Sequence, residues 1–173
     1  GLVLFSTLFV VQRVFYAPFM TLALSQGNAI GAGADLFCAC AMRVAAPETN
    51  FRMPGWKFRI ALETRRLACR IGDEKSRELL LQSKSFGARV AHELGLVQEV
   101  AAAADWQEVR DRALRTESML PADSVTHLLE LTTRDTRDAD LSALVRSASE
   151  PGLRERILAY VEAAPRKADR PVQ

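Results

Sequence analysis

The amino-acid sequence predicts an α/β fold with a helical C-terminal region, and three observations lead there. An apolar run at residues 20–25 is followed by a glycine-rich turn, a small apolar helix-like segment and a second short apolar run, the order of a β-α-β unit. Further helical segments stopped by glycine, and one more apolar run, extend this mixed region to residue 104. From Asp105 the periodicity is helical almost throughout, with breaks near Pro121, Asp138 and Pro151. The expected organisation is a core over residues 1–104 and a helical region over 105–173.

In chain order, Phe5–Tyr16 reads as a buried helix and Met20–Ser25 as a buried strand. The opening is apolar enough to require a membrane test. Gln12 and Arg13 lie inside it and Pro18 interrupts it, so it lacks the roughly 18 uncharged apolar residues of a spanning helix. Neither a basic n-region nor a small-residue cleavage site is present, so no secretory leader is expected. Ala34–Cys40 is a small apolar helix, and Met42–Pro47 a short strand ended by proline. "ETRRLACRIG" (Glu63–Gly72) is a helix stopped by glycine, and Asp73 suits the N-cap of the next, "DEKSRELLLQS". Ala88–Gly95 is a short helix closed by Gly95 and followed by the strand "LVQEV". The tail "PRKADRPVQ" has the composition of a frayed end.

Composition narrows the function classes. A chain of 173 residues, 49% of them hydrophobic, can bury one substantial core. With 23 Lys+Arg against 21 Asp+Glu and no long block of like charge, nucleic acid is not an expected partner. Cys38, Cys40 and Cys69 lack CxxC spacing, which points to reduced thiols in a cytoplasmic setting rather than a zinc site or disulfide framework. His92 and His127 are isolated from each other and from any cysteine pair, so no metal is expected. Ser25 has no partnered His and Asp, and a hydrolytic triad finds no support.

The glycine turn carries most of the chemical information. Gly27, Gly31 and Gly33 fall in "GNAIGAG", directly before the small helix, in a chain holding only 9 glycines. The first amides of a helix have no internal partner, and small residues leave them open to a guest; a developing oxyanion suits such donors. The structural alternative is that Gly31 and Gly33 only permit close helix–strand packing. "GAGADL" is not a dinucleotide fingerprint, because Leu36 stands where a third glycine or alanine is needed. Trp56, beside Gly55, either lines a ligand pocket or belongs to the core or an interface. Arg65 and Arg66 either meet phosphate or pair locally with carboxylates such as Glu63.

Taken in order, "ALSQGNAIGAGADLFCACAMRVAAPETNFRMPGWKF", "TRRLACRIG" and "SRELLLQSKSFGARVAHELGLVQEV" resemble the enoyl-CoA hydratase/isomerase family, the crotonase superfamily. The resemblance runs from about Thr21 to Val100 and more weakly through the C-terminal helices. It implies a crotonase-like spiral of β-β-α turns followed by a helical region used in trimer assembly, as a homotrimer or a dimer of trimers. It also implies a coenzyme A thioester as substrate, no separate cofactor, and a carbonyl held by two backbone N–H groups. One of those donors falls on the amide of Ala32, between Gly31 and Gly33. The other belongs to a front segment with no counterpart in this sequence, expected to lie outside the chain.

Departures from the pattern matter as much as the matches. Hydratases of this family use two glutamates; here the first position is Asp35 and the second is Gly55. Aspartate can act as acid or base, with its carboxylate set back by one methylene, while glycine can do neither. Glu63 is a candidate replacement carboxylate, though a glutamate at a helix start also simply favours the dipole. Two functions are compatible with this pattern. One is a lyase or isomerase of fatty acid metabolism in which Asp35 moves a proton and Ala32 N–H stabilises the enolate, with Gly31, Gly33 and Trp56 against the substrate. The other is a noncatalytic crotonase-fold scaffold or assembly subunit.

Overall fold

In the computed structural model residues 2–62 and 64–163 are described. Helix α1 (Leu2–Phe15) leads into strand β1 (Leu22–Ser25) and, across a turn at Gly27, strand β2 (Asn28–Ile30). Helix α2 (Ala32–Ala39) follows, then β3 (Met42–Ala45) and β4 (Asn50–Arg52). After a 3-10 turn at Gly55–Phe58 come α3 (Thr64–Ile71) and α4 (Asp73–Gln82), then β5 (Phe86–Gly87), α5 (Ala88–Glu93) and β6 (Glu99–Val100).

The strand–strand–helix order occurs twice, and equivalent strands of the two turns lie side by side. β1 runs parallel to β3 with Leu22 opposite Met42, and β2 parallel to β4 with Asn28 opposite Asn50. β6 extends the first sheet in the order β1-β3-β6, and β5 joins the second antiparallel to β4. Laying each new turn against the same strand of the previous one produces the expected β-β-α spiral. Between sheets and helices sits a core containing Phe37, Phe51, Met53, Leu67 and Leu96. The Phe51 ring lies 4.9 Å from Phe37 and 5.8 Å from Phe86, tying α2 to both strands of the second sheet's open end.

Several local expectations change. β2, β4 and β5 are two or three residues long, too short to display an alternating pattern, so residue periodicity does not reveal them. β1 is the edge strand of its sheet and half-buried along its length, not buried. Among the described side chains of α1 only Leu8 and Val11 are buried, three apart on one stripe, while Val3, Phe9 and Val10 are exposed. The N-cap of α4 is Gly72, at φ 82°, with Asp73 inside the first turn where free amides favour a carboxylate. The final strand shortens to Glu99–Val100, because Leu96 and Val97 are drawn into the core.

Four helices complete the chain: α6 (Trp106–Glu117), α7 (Ala122–Thr132), α8 (Arg137–Ala148) and α9 (Leu153–Ala163). The break expected near Asp138 falls before Thr136, the N-cap of α8, and Asp138 lies in that helix's first turn. α8 docks on the core through Leu144, which meets Leu8 of α1 and Ile60 in a second apolar cluster. Elsewhere these helices leave Leu114, Leu128, Leu131 and Val161 exposed, as is Met119 between α6 and α7. Among the described residues no helix is long and apolar enough to cross a membrane.

Candidate active site

Gly31 occupies φ 55°, ψ −117°, a backbone region closed to residues with a Cβ, and its N–H donates to the Arg52 carbonyl at 2.9 Å. That bond pins the turn to β4. Ala32 then opens α2 without any side-chain cap, so the amides of this first turn point out of the helix unfilled by the chain's own side chains. Both Ala32 and Gly33 are exposed. A Cβ built at Gly33 meets nothing within 4 Å, so packing inside this chain does not account for that glycine. Beside the turn lies an apolar cavity of about 410 Å³, walled by Val3, Val10, Val11, Ala32 and Leu36, with the hydroxyls of Ser6 and Thr7.

At its other end α2 is closed by two cations. Arg43 donates to the carbonyls of Cys40 and Ala41 at 2.9 Å and of Leu96 at 2.7 Å. Arg70 donates to Cys38 at 2.9 Å and Cys40 at 3.1 Å. Burial, together with the charge of Arg70, lowers Arg43 to about 10. These arginines satisfy the orphan carbonyls and complement the negative end of the helix dipole, so α2 is neutralised at its C-terminus and bare at its N-terminus.

Asp35, the expected acid or base, is completely buried. Its two oxygens accept from Nε and Nη2 of Arg66, each at 2.6 Å. Arg66 also donates through Nη1 to Asp140 at 3.3 Å, and Asp140 accepts from Arg65 at 2.8 Å and from the Thr136 hydroxyl at 2.9 Å. Burial raises the Asp35 carboxyl above its ordinary value against the opposing pull of Arg66. Thus the Asp35 carboxylate is a closed partner of Arg66, and it does not line the cavity beside Ala32. Arg65 and Arg66 find their partners on α2 and α8; Glu63, the local partner and candidate carboxylate, lies outside the described residues. Asp140 carries no signal in the sequence, because 74 residues separate it from Arg66 and no local pattern marks it.

Gly55 is buried in its tight turn, where its carbonyl accepts from the Ile60 N–H at 2.9 Å. A Cβ there would stand 3.0 Å from the Ile60 carbonyl oxygen, tighter than an ordinary contact, so a side chain at this position would push on the turn. Trp56 is 46% exposed, with Nε1 donating to Thr64 Oγ1 at 3.0 Å. It is therefore no core residue, and it lines cavities other than the one beside Ala32. Cys38 and Cys40 are buried and Cys69 exposed, and none of the three forms a disulfide among the described residues. Among the described residues no group of three or more His, Cys, Asp or Glu could hold a metal ion.

The family model described as enoyl-CoA hydratase/isomerase matches residues 5–164. The chain belongs to this family. A Bordetella parapertussis protein of the enoyl-CoA hydratase/isomerase class superposes with a TM-score of 0.88 at 40% identity, covering 92% of this chain and 66% of that one. Its likeness identifies the spiral as the crotonase fold. The probable enoyl-CoA hydratase echA6 of Mycobacterium leprae is 35% identical over 101 residues, 56% of this chain and 41% of that protein. Human ethylmalonyl-CoA decarboxylase is 30% identical over 103 residues, 55% of this chain and 32% of its own length. The chain thus spans well under half of these curated relatives.

Proposed function

We propose that the chain binds an acyl-CoA thioester with the carbonyl oxygen at the Ala32 N–H and the acyl group in the apolar cavity beside it. The observation that carries this reading is the bare start of α2: Gly31 holds a backbone only glycine adopts, Gly33 leaves space that nothing in the chain fills, and an apolar cavity opens there. Donors fixed in advance are worth about 3 kcal/mol toward an enolate oxygen, because they need no reorganisation as charge develops. Relatives named as a probable enoyl-CoA hydratase and as an ethylmalonyl-CoA decarboxylase support a CoA thioester and leave the reaction open. In calorimetry, a CoA thioester is expected to bind at least tenfold more tightly than its free acid, about 1.4 kcal/mol or more. Equal affinities would return the turn to a packing role.

A second reading, binding without proton transfer, is favoured by the closed Asp35–Arg66 pair and by glycine at position 55. The catalytic reading requires Arg66 to release Asp35. Exchange of the α-proton of an acyl-CoA in deuterated water separates the two: a catalytic Asp35 gives exchange that falls by about a hundredfold or more in Asp35→Asn. Equal, slow exchange in both chains is the outcome for a noncatalytic binder.

The exposed apolar residues of α6, α7 and α9 support assembly into a trimer or a dimer of trimers, since so much uncovered apolar surface favours a partner. Sedimentation at micromolar concentration is expected to show the trimer, and a monomer would remove this part of the proposal.

A further inference from the structure

A cavity of about 550 Å³ lies between the Gly55–Phe58 turn, α3 and α4. Its size falls within the roughly 300–1,000 Å³ of small-molecule sites. It shares no residue with the cavity beside Ala32, so a ligand bound here is independent of the thioester reading. We infer that this second cavity is a binding site for a small amphipathic anion, an apolar body carrying one carboxylate or phosphate head.

The apolar half comes from Trp56, Leu80 and Leu81. The Trp56 indole is held by its bond to Thr64 Oγ1, so its ring is a fixed wall and its polar atom is already satisfied. Leu81 is 75% exposed on α4, a large side chain left in water at the margin of a concavity where a ligand would cover it. Covering a leucine of that kind supplies affinity but no preference for charge.

The preference comes from Lys57, Arg65 and Arg77, which line the same cavity from the turn, α3 and α4. Among the described residues neither Lys57 nor Arg77 has a carboxylate within ion-pair distance, and Arg65 is held in place by Asp140 at 2.8 Å. Among the described residues the one carboxylate lining the cavity, Asp73, lies in the first turn of α4, where the free amides of the helix offset its charge. Net positive potential over an apolar floor selects a ligand with both properties, and a guanidinium fork suits a carboxylate or a phosphate head equally.

Decanoate below its micelle concentration is the probe, with decanol and inorganic phosphate as controls, and the readout is the Trp56 indole N–H resonance, assigned by its loss in Trp56→Phe. Decanoate is expected to shift that resonance saturably, with decanol and phosphate each at least tenfold weaker. Leu81→Ser and Arg77→Gln, both at exposed positions, are each expected to weaken decanoate by about three- to tenfold while the melting temperature holds. Decanol matching decanoate would reduce the site to an apolar patch, and phosphate matching it to a surface anion contact; either overturns the inference. So does the absence of a saturable shift, or a shift that survives both substitutions unchanged.

Discussion

Replacing Arg66 by Met is expected to destabilise the chain by about 3–5 kcal/mol, a large part of the stability of a domain this size. The cause is the group left behind. Asp35 is fully buried and both of its oxygens depend on Arg66, so the substitution strands a carboxyl group with no partner and no water. Asp140 fares better, because Arg65 and Thr136 still reach it. Urea unfolding of Arg66→Met, Asp35→Leu and the double variant reads the coupling: the double variant is expected to recover much of the loss, since two apolar side chains need no pairing. A double variant no more stable than Arg66→Met would show that the pair is not what holds α2 against α3.

Gly31→Ala is expected to reduce thioester affinity by about a hundredfold and to cost about 1–3 kcal/mol of stability, because alanine cannot hold φ 55°, ψ −117° without strain. The turn would relax and carry the Ala32 amide away from its present direction. Gly33→Ala is the informative contrast. Its new methyl meets nothing within 4 Å, so the fold should persist or gain up to about 1 kcal/mol from helix propensity, while a thioester seated on the turn would meet the methyl and bind more weakly. Calorimetry with the same thioester on both variants checks this. Full affinity in Gly31→Ala would remove the Ala32 amide from the proposed site.

Both expectations turn on α2, whose two ends differ in how far sequence alone describes them. The bare N-terminus was legible: glycines at 27, 31 and 33 around the start of a small apolar helix, which begins two residues earlier than expected, announce open amides, and the succession of motifs from Thr21 to Val100 leads to the family. The C-terminus was not. Arg43 and Arg70 reach its carbonyls from β3 and α3, and nothing in their local sequence says so.

Residue order was enough to specify the β-α-β beginning, the helical second half and the glycine turn, because each rests on periodicity or on a backbone requirement that a few neighbouring residues express. It was also enough to show that position 55 lacks a carboxylate. The role of Asp35 emerged only on folding, since its partner stands 31 residues away on α3, and that partner is shared with Asp140 on α8. The tight space around position 55 likewise comes from a contact with the Ile60 carbonyl that only the folded turn creates. One physical reason covers both cases. Burial makes a charge or a methyl group depend on whatever the fold brings within about 3 Å of it, and the chain's order of residues does not contain that distance.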